Sequence, residues 1–134
     1  MLPVSSAGKK RLTENQAVIS INPNFSESFP ENLPAFQVGQ LVQHRRYGYR
    51  GVIVEADGFC KADPAWYLSN QTQPDRNQPW YHVLVHDSSS VTYAAESSLM
   101  ADDSGCPIRH PYVPLYFGQF EDGRYFRNDQ QWPT

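Results

Sequence analysis

The sequence predicts an all-β domain, a small barrel or sandwich of short strands, on three observations. From Phe36 the chain consists of strand-length runs rich in Val, Tyr and Phe, separated by Gly, Pro, Asp, Asn and Ser. One run, Trp80 to Asp87, alternates so that Tyr81, Val83 and Val85 share a face while Trp80, His82, Leu84 and His86 share the other. That run is followed by Ser88-Ser89-Ser90 and a further β-type run, the spacing of a hairpin. With 134 residues, 40% of them hydrophobic and 13% aromatic, the chain has room for one such domain and enough apolar side chains for its core.

Residues 1–35 are rich in Ser, Asn and Pro, Val18 to Ile21 being the one strand-like patch, and Pro23, Pro30 and Pro34 interrupt regular structure. This composition predicts a flexible N-terminal tail. Lys9, Lys10 and Arg11 are followed by polar residues instead of a continuous apolar stretch, so neither a signal peptide nor a membrane span is expected. The folded domain is expected over residues 36–134, with strands at Phe36 to Gln43, Tyr49 to Ala56, Trp80 to Asp87 and Val91 to Ala95. The last two should pair antiparallel, and the face of Tyr81, Val83 and Val85, with Leu41, Val42, Val52 and Val54, should supply much of the core. In the long connection before Trp80, Asp63-Pro64 places an N-cap acceptor ahead of a proline at the first helical position. This predicts one or two helical turns over Ala65 to Leu68, then a mobile polar loop over Gln71 to Gln78. The aromatic stretch Tyr112 to Trp132, with an Asp122-Gly123 turn signal between Phe120 and Tyr125, is expected to pack on the barrel.

The formal net charge is -3, and from Phe36 onward eight basic residues face eleven acidic ones, so nonspecific affinity for DNA or an anionic membrane is not expected of the domain as a whole. Two cysteines, Cys60 and Cys106, do not make a disulfide framework and point to a reducing cytoplasm. No metal or other cofactor is expected. His82 and His86 on one strand face stand about 13 Å apart at roughly 3.3 Å per residue, too far to share a zinc ion. Cys106 and His110 enclose Pro107, and no second ligand pair follows. His86-Asp87 before three serines reads as a turn, since no Gly-x-Ser-x-Gly elbow accompanies it, and Gly48, Gly51 and Gly58 have the wrong spacing for a phosphate cradle. The domain is therefore expected not to be an enzyme.

The densest functional signal is His44-Arg45-Arg46-Tyr47-Gly48-Tyr49-Arg50, three arginines and two tyrosines between two expected strands. Arginine grips phosphates or guanine edges and tyrosine stacks on bases, so His44, Arg45, Arg46, Tyr47, Tyr49 and Arg50 are the candidate DNA contacts. The competing reading is structural: the tyrosines cover the barrel edge while the arginines pair with local acids such as Glu55 or Asp57. Trp66, Tyr67, Trp80 and His82 are candidates for protein contact, because tryptophan and tyrosine dominate interface hot spots, with core or rim packing as the alternative.

Together, Val38-Gly39-Gln40-Leu41-Val42-Gln43-His44, Tyr47-Gly48-Tyr49-Arg50-Gly51-Val52-Ile53, Pro79-Trp80-Tyr81-His82-Val83-Leu84-Val85 and Thr92-Tyr93-Ala94-Ala95-Glu96 with Leu99 resemble the YccV-like, or hemimethylated-DNA-binding, domain of the HspQ heat-shock proteins over about residues 36–100. The resemblance implies an SH3-like barrel of about five strands, binding to hemimethylated double-stranded DNA in at least some members, a role in the stress response, no catalysis, and association with ATP-dependent proteases of the Lon or Clp type. A protein-binding adaptor or specificity factor for such a protease is accordingly the alternative function. The extension after Cys106, with His110-Pro111, Val113, Tyr116-Phe117, Phe120, Tyr125 and Asn128, resembles the end of the domain as found in F-box proteins, although no F-box is visible here.

Overall fold

The computed structural model describes residues 33–133. The expected tail over residues 1–35, with its strand-like patch at Val18 to Ile21, lies outside the described residues except at its end, where the Ala35 N–H donates to Glu96 Oε1 at 2.9 Å. The chain forms β1 (Leu41–His44), β2 (Arg50–Asp57), α1 (Pro64–Ser69), β3 (Trp80–Val85), β4 (Val91–Ala95), a 3-10 turn (Glu96–Ser98) and β5 (Leu99–Ala101). After these come α2 (Val113–Tyr116), β6 (Phe117–Glu121) and β7 (Arg124–Arg127). The fold is mainly β, as expected. The five-stranded sheet has the order β4-β3-β2-β1-β5 and every pairing in it is antiparallel, so the chain meanders outward and its fifth strand returns beside the first. This is the order of a small SH3-like barrel. No helix among the described residues is long and apolar enough to cross a membrane.

Local chemistry trims the expected runs. The first strand begins at Leu41, not Phe36, because Gly39 takes φ +93° and its neighbour Gln40 bridges instead to Arg124. A Cβ on Gly39 would stand 1.9 Å from the Tyr125 carbonyl oxygen, so this glycine is what lets β7 approach the barrel. The third strand ends at Val85, because Asp87 adopts φ 60° in the turn to β4. Helix α1 starts at the expected proline, but the Asp63 carboxylate makes no cap hydrogen bond; its backbone carbonyl accepts the Tyr67 N–H at 3.0 Å. The segment expected to be a mobile loop is tied down: Tyr67 Oη donates to the Pro74 carbonyl, Trp80 Nε1 to the Asp75 carbonyl, and an Arg76 amino group to the carbonyls of Cys60 and Ala62.

The sheet is buried on both faces, which corrects the one-sided core read from sequence. Tyr81, Val83 and Val42 pack with Ile53, Ala94 and Leu99 on one side. Leu84, assigned to the opposite face, is also fully buried, where it packs with Leu41, Val52 and Val54 against Ile108, Tyr116, Phe117 and Tyr125 of the C-terminal extension. Val85 is only half-buried. A pleated strand buries both faces only when a second layer covers it, and here the β6–β7 hairpin is that layer. The hairpin turns at Asp122 and Gly123, both with positive φ as a type I′ turn requires, at the Asp-Gly signal. Tyr125 fastens it through its N–H to the Gly39 carbonyl and through its hydroxyl, which accepts the Ile108 N–H at 2.9 Å.

Candidate functional site

The turn between β1 and β2 is organised by His44. Its Nδ1 accepts the backbone N–H groups of both Arg46 and Tyr47 at 3.1 Å, satisfying two donors that a tight turn would otherwise leave unpaired. The imidazole also stacks on Tyr47, with centroids 4.8 Å apart, and lies 5.0 Å from the Tyr49 ring. Burial, reinforced by the nearby Arg46 charge, holds the His44 pKa below its ordinary value, which suits a ring nitrogen that must stay an acceptor. Gly48 supplies φ +76°, and its N–H returns to the His44 carbonyl at 2.9 Å.

The three arginines part ways. Arg46 is exposed, with its guanidinium 5.7 Å from the Tyr47 ring centroid, and Tyr47 is itself exposed. Arg45 is exposed but steadied through Nε, which donates to the Leu99 carbonyl at 3.1 Å. Arg50 instead reaches across the sheet: its Nε donates to Asp102 Oδ2 at 2.6 Å and a terminal nitrogen to the Cys106 carbonyl at 2.5 Å. The acid that takes an arginine is therefore Asp102, and not Glu55 or Asp57. Burial alone would raise the Asp102 pKa, but the hydrogen bonds from Arg50 and Ser104 and the Arg50 charge outweigh it and hold the carboxyl below its usual range.

The tyrosines of this turn and the protein-contact candidates line a single open cleft of about 880 Å³. His44, Tyr47 and Tyr49 line it together with Trp66, Tyr67, Trp80 and His82. Trp80 is the buried floor, 2% exposed, whereas Trp66 on α1 is 38% exposed. Sequence reasoning missed the residue that joins them. Tyr93 of β4 lies 5.8 Å from Trp66, 5.3 Å from Trp80 and 4.5 Å from His82, ring centroid to ring centroid. Its hydroxyl donates to Asp57 Oδ2 at 2.6 Å, and burial together with that carboxylate pushes its pKa up. The signal was present in sequence as a tyrosine two residues from the end of a strand following Trp80, but only the pairing of His82 with Tyr93 across β3 and β4 reveals it.

The cleft holds the carboxylates of Glu55, Asp57 and Asp63 against the single ammonium of Lys61, which lies 3.7 Å from Asp57. A shallower depression beside it is lined by Arg45, Arg46, Gln73 and Ser97, and shares His44, Thr72, Pro74 and Ser98 with the cleft. Among the described residues, no three His, Cys, Asp or Glu side chains converge as metal ligands would. His82 Nε2 faces Asp57 at 3.5 Å, while His86 is engaged separately, its Nδ1 accepting the Arg109 N–H and its Nε2 lying 3.3 Å from Asp87. Cys60 is buried and Cys106 exposed, both as free thiols.

Comparison with known proteins gives this geometry a family. The chain is similar to F-box only protein 21 of Homo sapiens and of Pongo abelii, 33% identical over 96 residues in each case, and to its Mus musculus counterpart at the same identity and length. The aligned part is 69% of this chain and 15% of each relative, so the chain spans a small fraction of the proteins it matches. Residues 34–124, most of the chain and reaching through β6 to the first residue of β7, match the family model described as hemimethylated DNA-binding protein YccV like, and the chain belongs to this YccV-like family.

Proposed function

We propose that this chain is a non-enzymatic double-stranded-DNA-binding module acting in the cytoplasm, with Arg45, Arg46 and Tyr47 as its contacts and hemimethylated duplex as its ligand. Family membership supports the ligand class. The observation that carries the site is the His44-braced turn: two exposed guanidinium groups and an exposed tyrosine project from a backbone fixed by two N–H bonds to one imidazole. A braced turn presents its charges without a large ordering cost on binding. Arg50 is outside this set because Asp102 neutralises it. The domain's acidic balance limits nonspecific attraction, so discrimination has to come from local contacts.

Binding of hemimethylated, fully methylated and unmethylated duplexes across a salt series tests the reading. Changing Arg45 and Arg46 together to Ala should reduce the slope of log K against log salt by about 1.8, two phosphates at roughly 0.9 each. Tyr47→Ala should weaken binding with little change in slope. Equal affinity for all three duplexes, or an unaltered slope in the double variant, would overturn it.

A second reading is favoured by the aromatic cleft with its surplus of carboxylates, which repels phosphate: capture of protein segments, as an adaptor for an ATP-dependent protease would need. Transfer of a bound client to such a protease in a reconstituted degradation assay tests it.

A further inference from the structure

All five residues of β4, Val91 through Ala95, line the large cleft. Successive side chains of a strand point to opposite faces, so a cleft touched by five in a row cannot lie on one face; it runs along the strand's edge. Among the described residues, the sheet order makes β4 an outer strand. Its hydrogen bonding to β3 alternates. The Ser90 carbonyl accepts the Val85 N–H at 3.1 Å and the Glu96 N–H donates to the Pro79 carbonyl at 2.9 Å, so in this register Thr92 and Ala94 turn their backbone groups toward β3. Val91, Tyr93 and Ala95 turn theirs into the cleft, and no described residue hydrogen-bonds them. Edges of this kind accept a further strand.

The walls say what that strand carries. Across the cleft from β4 stand Trp66 and Tyr67 of α1, and the lining charges are three carboxylates against one ammonium. Glu55 and Asp63 have no ion-pair partner among the described residues, whereas Asp57 is held by Tyr93, Lys61 and His82. Aromatic faces beside unpaired carboxylates favour a cation.

We propose that the β4 edge and its aromatic cleft form a docking site for an extended peptide segment of a partner protein, paired to Val91, Tyr93 and Ala95 and carrying a lysine or arginine side chain between Trp66 and the Glu55 and Asp63 carboxylates. The proposal rests on the protein-capture reading and gives its partner a chemistry. Five strand residues span about 17 Å at roughly 3.4 Å each, so five residues of the partner fill the edge.

The test uses the full chain and a fluorescein-labelled octapeptide of alternating Thr and Val with one central Lys, followed by anisotropy and tryptophan fluorescence. Arg in place of Lys should bind within a few-fold of it, and norleucine or Glu at least tenfold more weakly. N-methylation of alternate peptide amides should abolish binding, because it removes the donors that meet the β4 carbonyls. Trp66→Ala should weaken binding about tenfold without unfolding, since α1 contributes no buried residue. Ala95→Pro removes an edge N–H at a residue whose φ of -71° proline accepts, and should also weaken binding; if it fails to fold, Trp66→Ala and the N-methylated peptide carry the test. Peptides that bind regardless of charge, N-methylation or Trp66 overturn this proposal while leaving protein capture intact. Failure of every peptide to bind overturns both, and binding of a single-stranded oligonucleotide in the same cleft, displaced by none of the peptides, reassigns the groove to nucleic acid. Changing Arg45 and Arg46 to Ala should not weaken peptide binding, which separates this site from the duplex surface.

Discussion

Leu84→Ala is the sharpest probe of the architecture, because it separates a one-layered sheet from one covered on both faces. Leu84 is fully buried, packed among Leu41, Val52 and Val54 of its own sheet and Ile108, Tyr116, Phe117 and Tyr125 of the extension. Truncation removes three carbons and leaves a cavity whose floor is a sheet hydrogen-bonded on both sides of β3, through β2 and β4, and so cannot sink to fill it. A Leu→Ala change costs about 2–5 kcal/mol according to how far the site collapses, and this rigid site belongs in the upper half, at about 3–5 kcal/mol. Against a total stability of about 5–15 kcal/mol for a domain of this kind, the urea midpoint should fall by about a fifth or more with an unchanged slope. Because the cavity wall is shared with the hairpin, a double-mutant cycle with Phe117→Ala should show coupling of about 0.5–3 kcal/mol. A loss below about 1 kcal/mol, matching that of His82→Ala, would mean that the extension does not close over this face.

Val83→Ala, on the opposite face, should cost about 1–3 kcal/mol by the same measurement, and the half-buried His82→Ala should cost much less. Gly51→Ala should destabilise strongly, since the new Cβ would stand 2.4 Å from Val83 Cγ1 and 2.5 Å from the Leu84 carbonyl oxygen, and refolding yield with a thermal melt will show it. Arg50→Ala should lower stability by about 1.5–3 kcal/mol through loss of its charge-assisted bonds, yet leave the salt dependence of duplex binding intact, opposite to Arg46→Ala. Acid should destabilise in two stages. His44 is held below its ordinary 6.5 when folded, so it contributes stability above pH 6.5 that is lost as pH falls toward its folded value; Asp102, also held low, contributes above the ordinary carboxylate range and is lost at lower pH. Melts from pH 8 to 3 of wild type, His44→Gln and Asp102→Asn should converge in that order.

What sequence revealed here was local. Strand runs, the β3–β4 hairpin, the Pro64 helix start and the Asp122-Gly123 turn each depend on a few adjacent residues, and all are present. The errors concern what covers a strand. Alternation in Trp80 to Val85 marks two faces correctly but cannot say that residues 24 to 41 positions after Leu84 bury the second, so the sequence leaves Leu84 out of the core and overvalues Val85. The site was legible in the same measure. Both groups of candidate residues were visible as aromatic and basic clusters, but that Tyr47 and Tyr49 share a cleft with Trp66 and Trp80 follows from the sheet order, and the removal of Arg50 by Asp102 is a pairing between residues 52 positions apart.

The two surfaces meet along His44, Thr72, Pro74 and Ser98, and their charges have opposite signs. Arg45 and Arg46 face the shallow depression, while Glu55, Asp57 and Asp63 line the cleft, and His44 belongs to both. A ligand that fits one is therefore disfavoured in the other: a phosphate backbone meets guanidinium groups on the turn but carboxylates a few residues deeper, and a basic peptide meets the reverse. On the proposed reading, an acidic domain of a DNA-binding family avoids nonspecific attraction to polyanions because its exposed guanidinium groups are confined to one turn. The arrangement also means that neither arginine nor tyrosine content alone identifies the ligand. Tyr47 lines the cleft while stacked on His44 and in reach of Arg46, so its rotation toward a bound base would reshape the cleft wall. Any difference in Tyr47 position between the two bound states links the two affinities, and by reciprocity each ligand must then alter the other's binding by the same factor.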